Sequence, residues 1–311
     1  MTTVVHGSHG HRFARVIGAF PDVEFIEVNA DRRPSDLGVD RADVLFVSSP
    51  YPATLDELLA LPVRWVHHMD AGVDSFPLEL VGDRTLTCGR GANAVAIAEW
   101  AMAMILADTK RLPDSWIDEP PDHWYVTDLA LAAGATVAIL GFGQIGREVA
   151  RRALAFDMTV RVLRRSATPI EVPGIVAAQD PIELVTDADH VVIAAPLTPE
   201  LHHVLDDQTF GHFSAGTHLV NVSRGAHVDQ DALRRALDHG QVRRASLDVC
   251  DPEPLPADHW LYHDPRVRLS PHVSWFEPDA TKRLYDAFAD NLRRFIDGLP
   301  LHGVVDIAAG Y

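Results

Sequence analysis

The stretch that decides the fold is Val137-Ala-Ile-Leu-Gly141-Phe-Gly143-Gln144-Ile145-Gly146-Arg-Glu-Val149. A short apolar run ends in Gly-x-Gly-x-x-Gly and a helical pattern follows at once, which is the context that a dinucleotide-binding turn requires. The first glycine permits a tight turn, the second lets the backbone approach a pyrophosphate, and the third lets the helix pack closely on its strand. We therefore predict a nucleotide site formed by residues 141 and 143–146; the alternative is a glycine-rich turn without a ligand.

Composition limits the class of protein. The chain of 311 residues predicts about two domains, and a hydrophobic fraction of 47% is enough for buried cores. The net charge of −17 argues against partners that are nucleic acids or anionic membranes. Two cysteines, Cys88 and Cys250, cannot form a disulfide framework, and Cys250 is expected to be a small buried residue.

Signals for export or membrane insertion are not expected. The N-terminus lacks a basic segment followed by a long apolar one. No run reaches the ~18 apolar residues of a membrane span. The sequence therefore predicts a cytoplasmic protein.

Short apolar strands alternate with amphipathic helices, which predicts an α/β fold with mostly parallel sheets. Predicted strands are Thr3–Val5, Glu24–Glu27, Val44–Val47, Trp65–His68, Thr85–Thr87, Thr136–Leu140, Thr159–Leu163, Ile175–Ala177, His190–Ala194, His218–Asn221, Arg244–Leu247 and Val267–Leu269. Predicted helices include Leu55–Leu61, Ala92–Ala107 and Asp279–Asp297.

The predicted helix Ala92–Ala107 has Asn93 as a plausible N-cap. It is apolar around most of its circumference, which indicates burial between domains or between subunits. The following segment, residues 112–127, breaks the strand and helix pattern. It contains Pro113, Trp116, Pro120, Pro121, Trp124 and Tyr125. We expect an arm that packs on a second subunit; the alternative is a surface loop.

Three polar residues follow predicted strand ends: Arg224, Glu253 and His272. Open α/β sheets bind ligands outside the carboxyl ends of their strands. An arginine beside a glycine offers a planar fork to a carboxylate. Taken singly, each residue has an ordinary interpretation: a surface arginine, a solvated acid and a loop histidine.

Together with the glycine turn, these residues resemble the D-isomer-specific 2-hydroxyacid dehydrogenases. The matching motifs are Gly141-Phe-Gly-Gln-Ile-Gly146, Ala195-Pro-Leu-Thr-Pro199, Asn221-Val-Ser-Arg-Gly225, Asp248-Val-Cys-Asp-Pro-Glu-Pro254 and Ser270-Pro-His272, with Ala71-Gly-Val-Asp74 upstream and Asn291-Leu-Arg-Arg-Phe295 and Val304-Val-Asp306 near the end. The resemblance implies two Rossmann-like domains. Residues 101–275 would form an NAD(P)-binding domain, inserted into a flavodoxin-like substrate domain of residues 1–100 and 276–311. It also implies a homodimer built around the long helix and its arm.

The resemblance implies a role for each matching residue. His272 would be the general acid and base at the substrate C2 oxygen, and Glu253 would hydrogen-bond it and favour its protonated form. Arg224 would bind the substrate carboxylate and polarise the carbonyl. Further implied contacts are with the substrate carboxylate for the loop Ala71, Gly72 and Val73, and with the cofactor for Pro196, Leu197, Val222, Ser223 and Asp248.

One departure from the family pattern concerns the cofactor. NAD-preferring members carry an acid at the end of the second strand, where it binds the ribose hydroxyls. The matching position here is Arg164, followed by Arg165 and Ser166. Two guanidiniums and a hydroxyl suit a 2′-phosphate, so we expect NADP(H) to be preferred, with NAD(H) possible. The alternative is two solvated arginines in a permissive enzyme.

The substrate is expected to be a small 2-oxo acid. Trp275 would narrow the pocket, and Tyr51 lies in a loop that could reach the substrate; the alternative for both is interface packing. No metal is expected, because no spacing of the histidines resembles a closed zinc site. His6, His9 and His11 lie in a glycine-rich N-terminal segment, and His67-His68 and His202-His203 are adjacent pairs.

The leading hypothesis is an NADPH-preferring 2-oxo-acid reductase of the glyoxylate and hydroxypyruvate reductase kind. A second hypothesis is a nucleotide-sensing binding protein like the corepressor relatives of this family. The retention of all three polar residues favours the enzyme. A third is an NAD-dependent oxidant of a hydroxy acid or of phosphite, against which the arginine pair argues.

Overall fold

A computed structural model describes residues 1–7, 10–29, 33–39, 41–124, 128–166, 170 and 172–311. The chain divides into two compact units. Unit 1 comprises Met1–Asn93 and Glu277–Tyr311, and unit 2 comprises Ala94–Phe276.

In chain order the strands and helices are β1 (Thr2–Gly7), α1 (Gly10–Gly18), β2 (Val23–Val28), β3 (Val44–Val47), α2 (Leu55–Leu59), β4 (Trp65–His68), β5 (Thr85–Cys88), α3 (Ala94–Thr109), β6 (Thr136–Leu140), α4 (Gln144–Ala155), β7 (Thr159–Leu163), β8 (Ile175–Ala177), α5 (Pro181–Val185), β9 (His190–Ile193), α6 (Asp207–Phe210), β10 (Thr217–Asn221), α7 (Gln230–His239), β11 (Val242–Leu247), β12 (Val267–Leu269) and α8 (Ala280–Ile296).

Unit 1 is built on a five-stranded parallel sheet of order β2-β1-β3-β4-β5. Strands β3 and β4 are buried along their whole length, as expected for a parallel sheet covered on both faces. On one face, α8 packs Phe288 and Leu292 against Phe46 and Trp65. The carboxyl end of β4 leads into the loop predicted to bind the substrate carboxylate.

Unit 2 is built on a seven-stranded parallel sheet of order β12-β11-β10-β9-β6-β7-β8. The first strand, β6, lies between β7 and β9, so the direction of winding reverses there. A crevice outside the strand ends at such a reversal is the usual ligand site of open α/β sheets. The glycine turn that follows β6 therefore lies at the switch point of this sheet.

The predicted α/β class with parallel sheets is confirmed. Every predicted strand is present, with ends that differ by two residues at most. Helix α1 was not predicted. Asn93 does not cap α3, because its Oδ1 is buried without a hydrogen-bond partner among the described residues. Cys250 is only partly buried, and burial raises the pKa of its thiol to about 11, which suits an unreactive side chain.

Helix α3 packs one face into the core of unit 2 and leaves the other partly exposed. Ala98, Ala101 and Ile105 are fully buried there, whereas Val95 is 45% exposed. The arm at 112–124 contains no helix or strand, and Tyr125 lies outside the described residues.

Among the described helices, none combines the length and apolar character needed to cross a bilayer.

Candidate active site

The glycine turn leaves space where a ligand can approach. Gly141 has φ +96°, and a Cβ there would lie 2.6 Å from the backbone N of Ala195. At Gly146 a Cβ would lie 2.1 Å from the carbonyl oxygen of Gly141, so only glycine lets α4 pack this closely. Gly143 is the N-cap of α4, whose first two residues are Gln144 and Ile145, and it makes no side-chain capping bond. A Cβ built at Gly143 would have no atom within 4 Å, so the space beside it is open. The first-turn N–H groups thus lack a capping side chain, and a dinucleotide pyrophosphate fits here.

The end of β7 carries the predicted 2′-phosphate residues. Arg164 Nη2 is buried and has no hydrogen-bond partner among the described residues, although buried polar atoms are normally paired. The pKa of the Glu200 carboxyl is lowered by hydrogen bonds from the Glu200 backbone N–H and from Thr198, and more weakly by the positive charge of Arg165. Arg165 and Ser166 also make contacts within the chain. Arg164 is therefore an arginine with an unused buried donor, and its predicted contact with a 2′-phosphate stays a prediction.

The loops after β9 and β10 are joined to one another. Ser223 Oγ donates a hydrogen bond to the Ala195 carbonyl. The His227 ring is buried between the two loops. Its Nδ1 lies 3.0 Å from the carbonyl oxygen of Arg224, and its Nε2 lies 3.3 Å from the carbonyl oxygen of Pro196. These contacts join the loop that carries Pro196 and Leu197 to the loop that carries Val222, Ser223 and Arg224. The sequence signal for His227 was only its place three residues after Arg224, and we did not predict its role.

Gly225 sets the distance between the arginine loop and the Glu253 loop. A Cβ at Gly225 would lie 2.0 Å from the carbonyl carbon of Cys250 and 2.5 Å from the backbone N of Asp251. Asn221 Nδ2 donates to the Arg224 carbonyl oxygen at 2.8 Å and fixes the other side of the turn. The contribution of Gly225 was not predictable from the sequence, because its close neighbours lie 25 residues further along the chain.

The Glu253 and His272 side chains meet directly. Glu253 Oε2 lies 2.8 Å from His272 Nδ1, and Glu253 Oε1 accepts a hydrogen bond from the Cys250 N–H at 3.0 Å. The carboxylate can only accept, so Nδ1 of His272 carries the proton and Nε2 remains available for a substrate atom. Both side chains are partly exposed, at 41% for His272 and 37% for Glu253. The pair is therefore open to a ligand and oriented for proton transfer.

Asp248 holds the loop that carries His272. Its buried carboxylate accepts hydrogen bonds from the Ser270 hydroxyl at 2.5 Å and from the N–H groups of Val273 at 2.8 Å and Ser274 at 2.9 Å. His272 itself adopts φ +54°, a conformation that is uncommon for residues other than glycine. The observed contacts of Asp248 thus explain the backbone at His272, and its predicted contact with the cofactor stays a prediction. Trp275 Nε1 donates to the His272 carbonyl oxygen at 3.0 Å.

The remaining predicted substrate residues lie in unit 1. The N–H groups of Ala71, Gly72 and Val73 make no hydrogen bond among the described residues. Three successive N–H groups without an acceptor are a suitable site for a carboxylate. The Tyr51 hydroxyl lies 2.9 Å from His68 Nε2 and 3.3 Å from Ser75 Oγ. Tyr51 is thereby tied to the loop that carries these free N–H groups.

A buried polar cluster lies at the opposite edge of the unit 2 sheet. Ligand atoms of Asp108, His190 and His218 all lie within 4.8 Å of one another, a spacing that could hold a metal ion. However, Arg243 donates to both carboxylate oxygens of Asp108, at 2.6 and 2.7 Å. His218 Nδ1 lies 3.1 Å from His190 Nδ1, and its Nε2 lies 2.9 Å from Ser246 Oγ. The guanidinium already satisfies the carboxylate, so we interpret the cluster as structural.

The amino-acid sequence of this chain is similar to that of known enzymes. The family model described as D-isomer specific 2-hydroxyacid dehydrogenase, NAD binding domain, matches residues 102–274. Glyoxylate/hydroxypyruvate reductase A of Serratia proteamaculans is 32% identical over 261 residues, which cover 83% of this chain and 79% of that enzyme. D-3-phosphoglycerate dehydrogenase of Bacillus subtilis is 32% identical over 86% of this chain, which spans only 52% of that longer enzyme.

A solved structure extends the likeness to the whole fold. The NADPH-dependent glyoxylate/hydroxypyruvate reductase of Sinorhizobium meliloti, in complex with NADP and sulfate, superposes with a TM-score of 0.81 and 25% identity. The match covers 100% of both chains. The chain therefore belongs to the D-isomer specific 2-hydroxyacid dehydrogenases, a family of NAD(P)-dependent oxidoreductases.

Proposed function

We propose that this protein reduces a small 2-oxo acid to the D-2-hydroxy acid, with NADPH as the preferred reductant. The observation that carries the proposal is the 2.8 Å contact between Glu253 Oε2 and His272 Nδ1. A histidine oriented in this way, beside a loop that carries an arginine, is what ketone reduction requires. Negative charge develops on the carbonyl oxygen and must be stabilised and then protonated.

Each residue has one task in the proposed reaction. The reduced nicotinamide supplies a hydride when it is bound. Arg224 binds the substrate carboxylate and polarises the carbonyl. In unit 1, the free N–H groups of residues 71–73 are the donors proposed for a carboxylate. His272 donates its Nε2 proton to the C2 oxygen, while Glu253 holds the ring and stabilises its charged form. In the reverse direction His272 accepts that proton.

Preference for NADPH is supported by the unpaired Nη2 of Arg164. A guanidinium donor binds a 2′-phosphate with a charge-assisted hydrogen bond, and it offers nothing equivalent to a ribose hydroxyl. The Sinorhizobium meliloti relative is NADPH-dependent, which favours the same choice here.

A homodimer is the proposed assembly. The arm exposes Trp116 at 72%, Ile117 at 57% and Trp124 at 66%, and one face of α3 is also partly exposed. Monomeric proteins rarely leave such apolar surface uncovered. A second copy of the chain is the partner that we expect to cover it.

The deciding experiment measures initial rates of NADPH and NADH oxidation with glyoxylate, hydroxypyruvate and larger 2-oxo acids. We expect turnover with NADPH, and the ranking of acids will give the size of the pocket. His272→Ala should lower kcat by about 100-fold or more, the usual contribution of general acid catalysis, while NADPH still binds. Cofactor binding without turnover on any 2-oxo acid would contradict the proposal and favour the nucleotide-sensing alternative.

A further inference from the structure

Asp70 stands two residues after β4, immediately before the free N–H groups of residues 71–73. Its Oδ2 accepts a hydrogen bond from the Ser49 N–H at 3.0 Å, and its backbone carbonyl accepts one from the Gly89 N–H at 3.0 Å. Its Oδ1 accepts none from the residues that the structure describes, and the side chain is 37% exposed. The carboxylate is therefore held in place with one oxygen free.

Within unit 1, no basic side chain among the described residues offsets the charge of this carboxylate. Its nearest basic group is His68, whose Nε2 lies 3.6 Å from Asp70 Oδ2. Burial lowers the pKa of His68, against the opposing effect of Asp70, so the ring is neutral at pH 7. His68 Nδ1 lies 3.2 Å from the Asp70 carbonyl, to which it donates, so Nε2 accepts from the Tyr51 hydroxyl. No lysine or arginine in the described part of the chain forms an ion pair with Asp70.

A fixed negative charge beside an anion-binding loop affects ligands unequally. A ligand with one carboxylate can pair it with the free N–H groups. A second negative charge within ~7 Å of Asp70 is repelled strongly enough to lower affinity about tenfold, once partial exposure is allowed for. A ligand group that donates a hydrogen bond can instead use the free Oδ1 as its acceptor.

We propose that Asp70 is a specificity-determining residue, which disfavours 2-oxo acids with a second negative charge and favours those whose side group donates a hydrogen bond. This inference rests on the proposed function, in which residues 71–73 bind the substrate carboxylate. It assigns monoanionic acids to this enzyme as a substrate class, whereas phosphorylated 2-oxo acids and 2-oxo diacids are poor substrates.

Oxamate and oxalate test the proposal. They have nearly the same shape, but oxamate carries one negative charge and an amide donor, whereas oxalate carries two negative charges. Their dissociation constants are measured by titration calorimetry on the NADP-loaded protein. The unmodified protein should bind oxamate about tenfold more tightly than oxalate. Asp70→Asn keeps an acceptor for the Ser49 N–H and removes the charge, and it should bring the ratio close to one.

The control is Asp56→Asn, which removes an exposed charge from α2 in the same unit and should leave the ratio unchanged. If both ligands bind and Asp70→Asn leaves the ratio as it is in the unmodified protein, the role of Asp70 is refuted while the proposed function stands. If neither ligand binds the unmodified protein, the proposed substrate site and this inference both fail. Asp70→Ser, with folding checked by circular dichroism, replaces Asp70→Asn if that variant does not fold.

Discussion

At the scale of single residues, the candidate site depends on carboxylates that only accept. Glu253 receives one hydrogen bond from the backbone of its own loop and a second from His272. Asp248 receives three from the segment on either side of His272. The first carboxylate fixes the tautomer of the ring and the second fixes the backbone beneath it. His272 is consequently held before any substrate arrives, which reduces the entropy lost on reaction.

The first prediction concerns Glu253→Gln. The amide still accepts from Nδ1 but no longer offers a charge to a protonated ring, so the alkaline limb of the pH profile for reduction should move to lower pH. We expect kcat near neutral pH to fall roughly 10-fold to 100-fold. The measurement is kcat for 2-oxo-acid reduction between pH 5 and 9. Asp251→Asn removes an exposed charge from the same loop and should leave the profile in place; an unmoved profile in Glu253→Gln would exclude the carboxylate from proton transfer.

The second prediction concerns Arg164→Asp. The change replaces the unpaired Nη2 with a carboxylate that repels a 2′-phosphate and accepts from ribose hydroxyls. The ratio of kcat/KM for NADPH to that for NADH should fall by about 10-fold to 100-fold, the range for a hydrogen bond to a charged group. The control is Arg151→Asp, which makes the same substitution at an exposed arginine of α4 and should leave the ratio unchanged. A constant ratio would mean that Arg164 does not contact the 2′-phosphate.

The sequence predicted the reactive side chains better than their supports. Glu253 and His272 are identifiable because they follow strand ends within specific motifs. The contributions of Gly225 and His227 depend on neighbouring strands that bring distant loops within van der Waals distance. No local pattern marks such residues, since a glycine or histidine after a turn has many ordinary explanations.

At the scale of elements, the central strands of the parallel sheets, such as β3 and β9, were predictable because they are buried along their whole length and read as nearly continuous apolar runs. Helix α1 was missed, because a glycine- and histidine-rich segment precedes its apolar residues. The cap of α3 was predicted wrongly. A polar residue before an apolar helix is a common N-cap, but Asn93 Oδ1 finds no donor here.

The third prediction concerns the arm between α3 and β6. Its exposed indoles at Trp116 and Trp124 should lie in the proposed dimer interface. Replacing both with serine removes two large apolar contacts, and interface aromatics often contribute ~2 kcal/mol each. The dimer dissociation constant, from sedimentation velocity, should therefore rise by about 100-fold or more. Tyr262→Ser, an exposed aromatic 48% accessible elsewhere in unit 2, is the control; a monomeric unmodified protein, or an unchanged constant, would contradict the assembly.

At the scale of the whole molecule, each unit contains histidines that are buried as neutral groups. Burial lowers the pKa of His67 in unit 1 and of His218 in unit 2 to about 3. His67 Nδ1 lies 2.7 Å from Thr87 Oγ1, and His218 is bonded to His190 and Ser246. None of these rings takes part in the proposed reaction. Because each ring must stay neutral in the folded state, protonation of these histidines at low pH favours the unfolded state.

The last prediction is loss of stability in mild acid. Because the folded pKa of His218 lies below its unfolded value, the unfolded chain binds more protons between about pH 6.5 and 3. The stabilisation is complete above pH 6.5 and is lost as the pH falls through that window, by about 2 kcal/mol per buried ring at pH 5. His218→Gln keeps hydrogen-bonding groups but cannot titrate, so the free energy of unfolding of unit 2 should fall less between pH 7.5 and 5. Chemical denaturation followed by circular dichroism measures this, with the exposed His212→Gln as control. An equal fall in His218→Gln and the unmodified protein would show that the buried ring is not the acid-sensitive group.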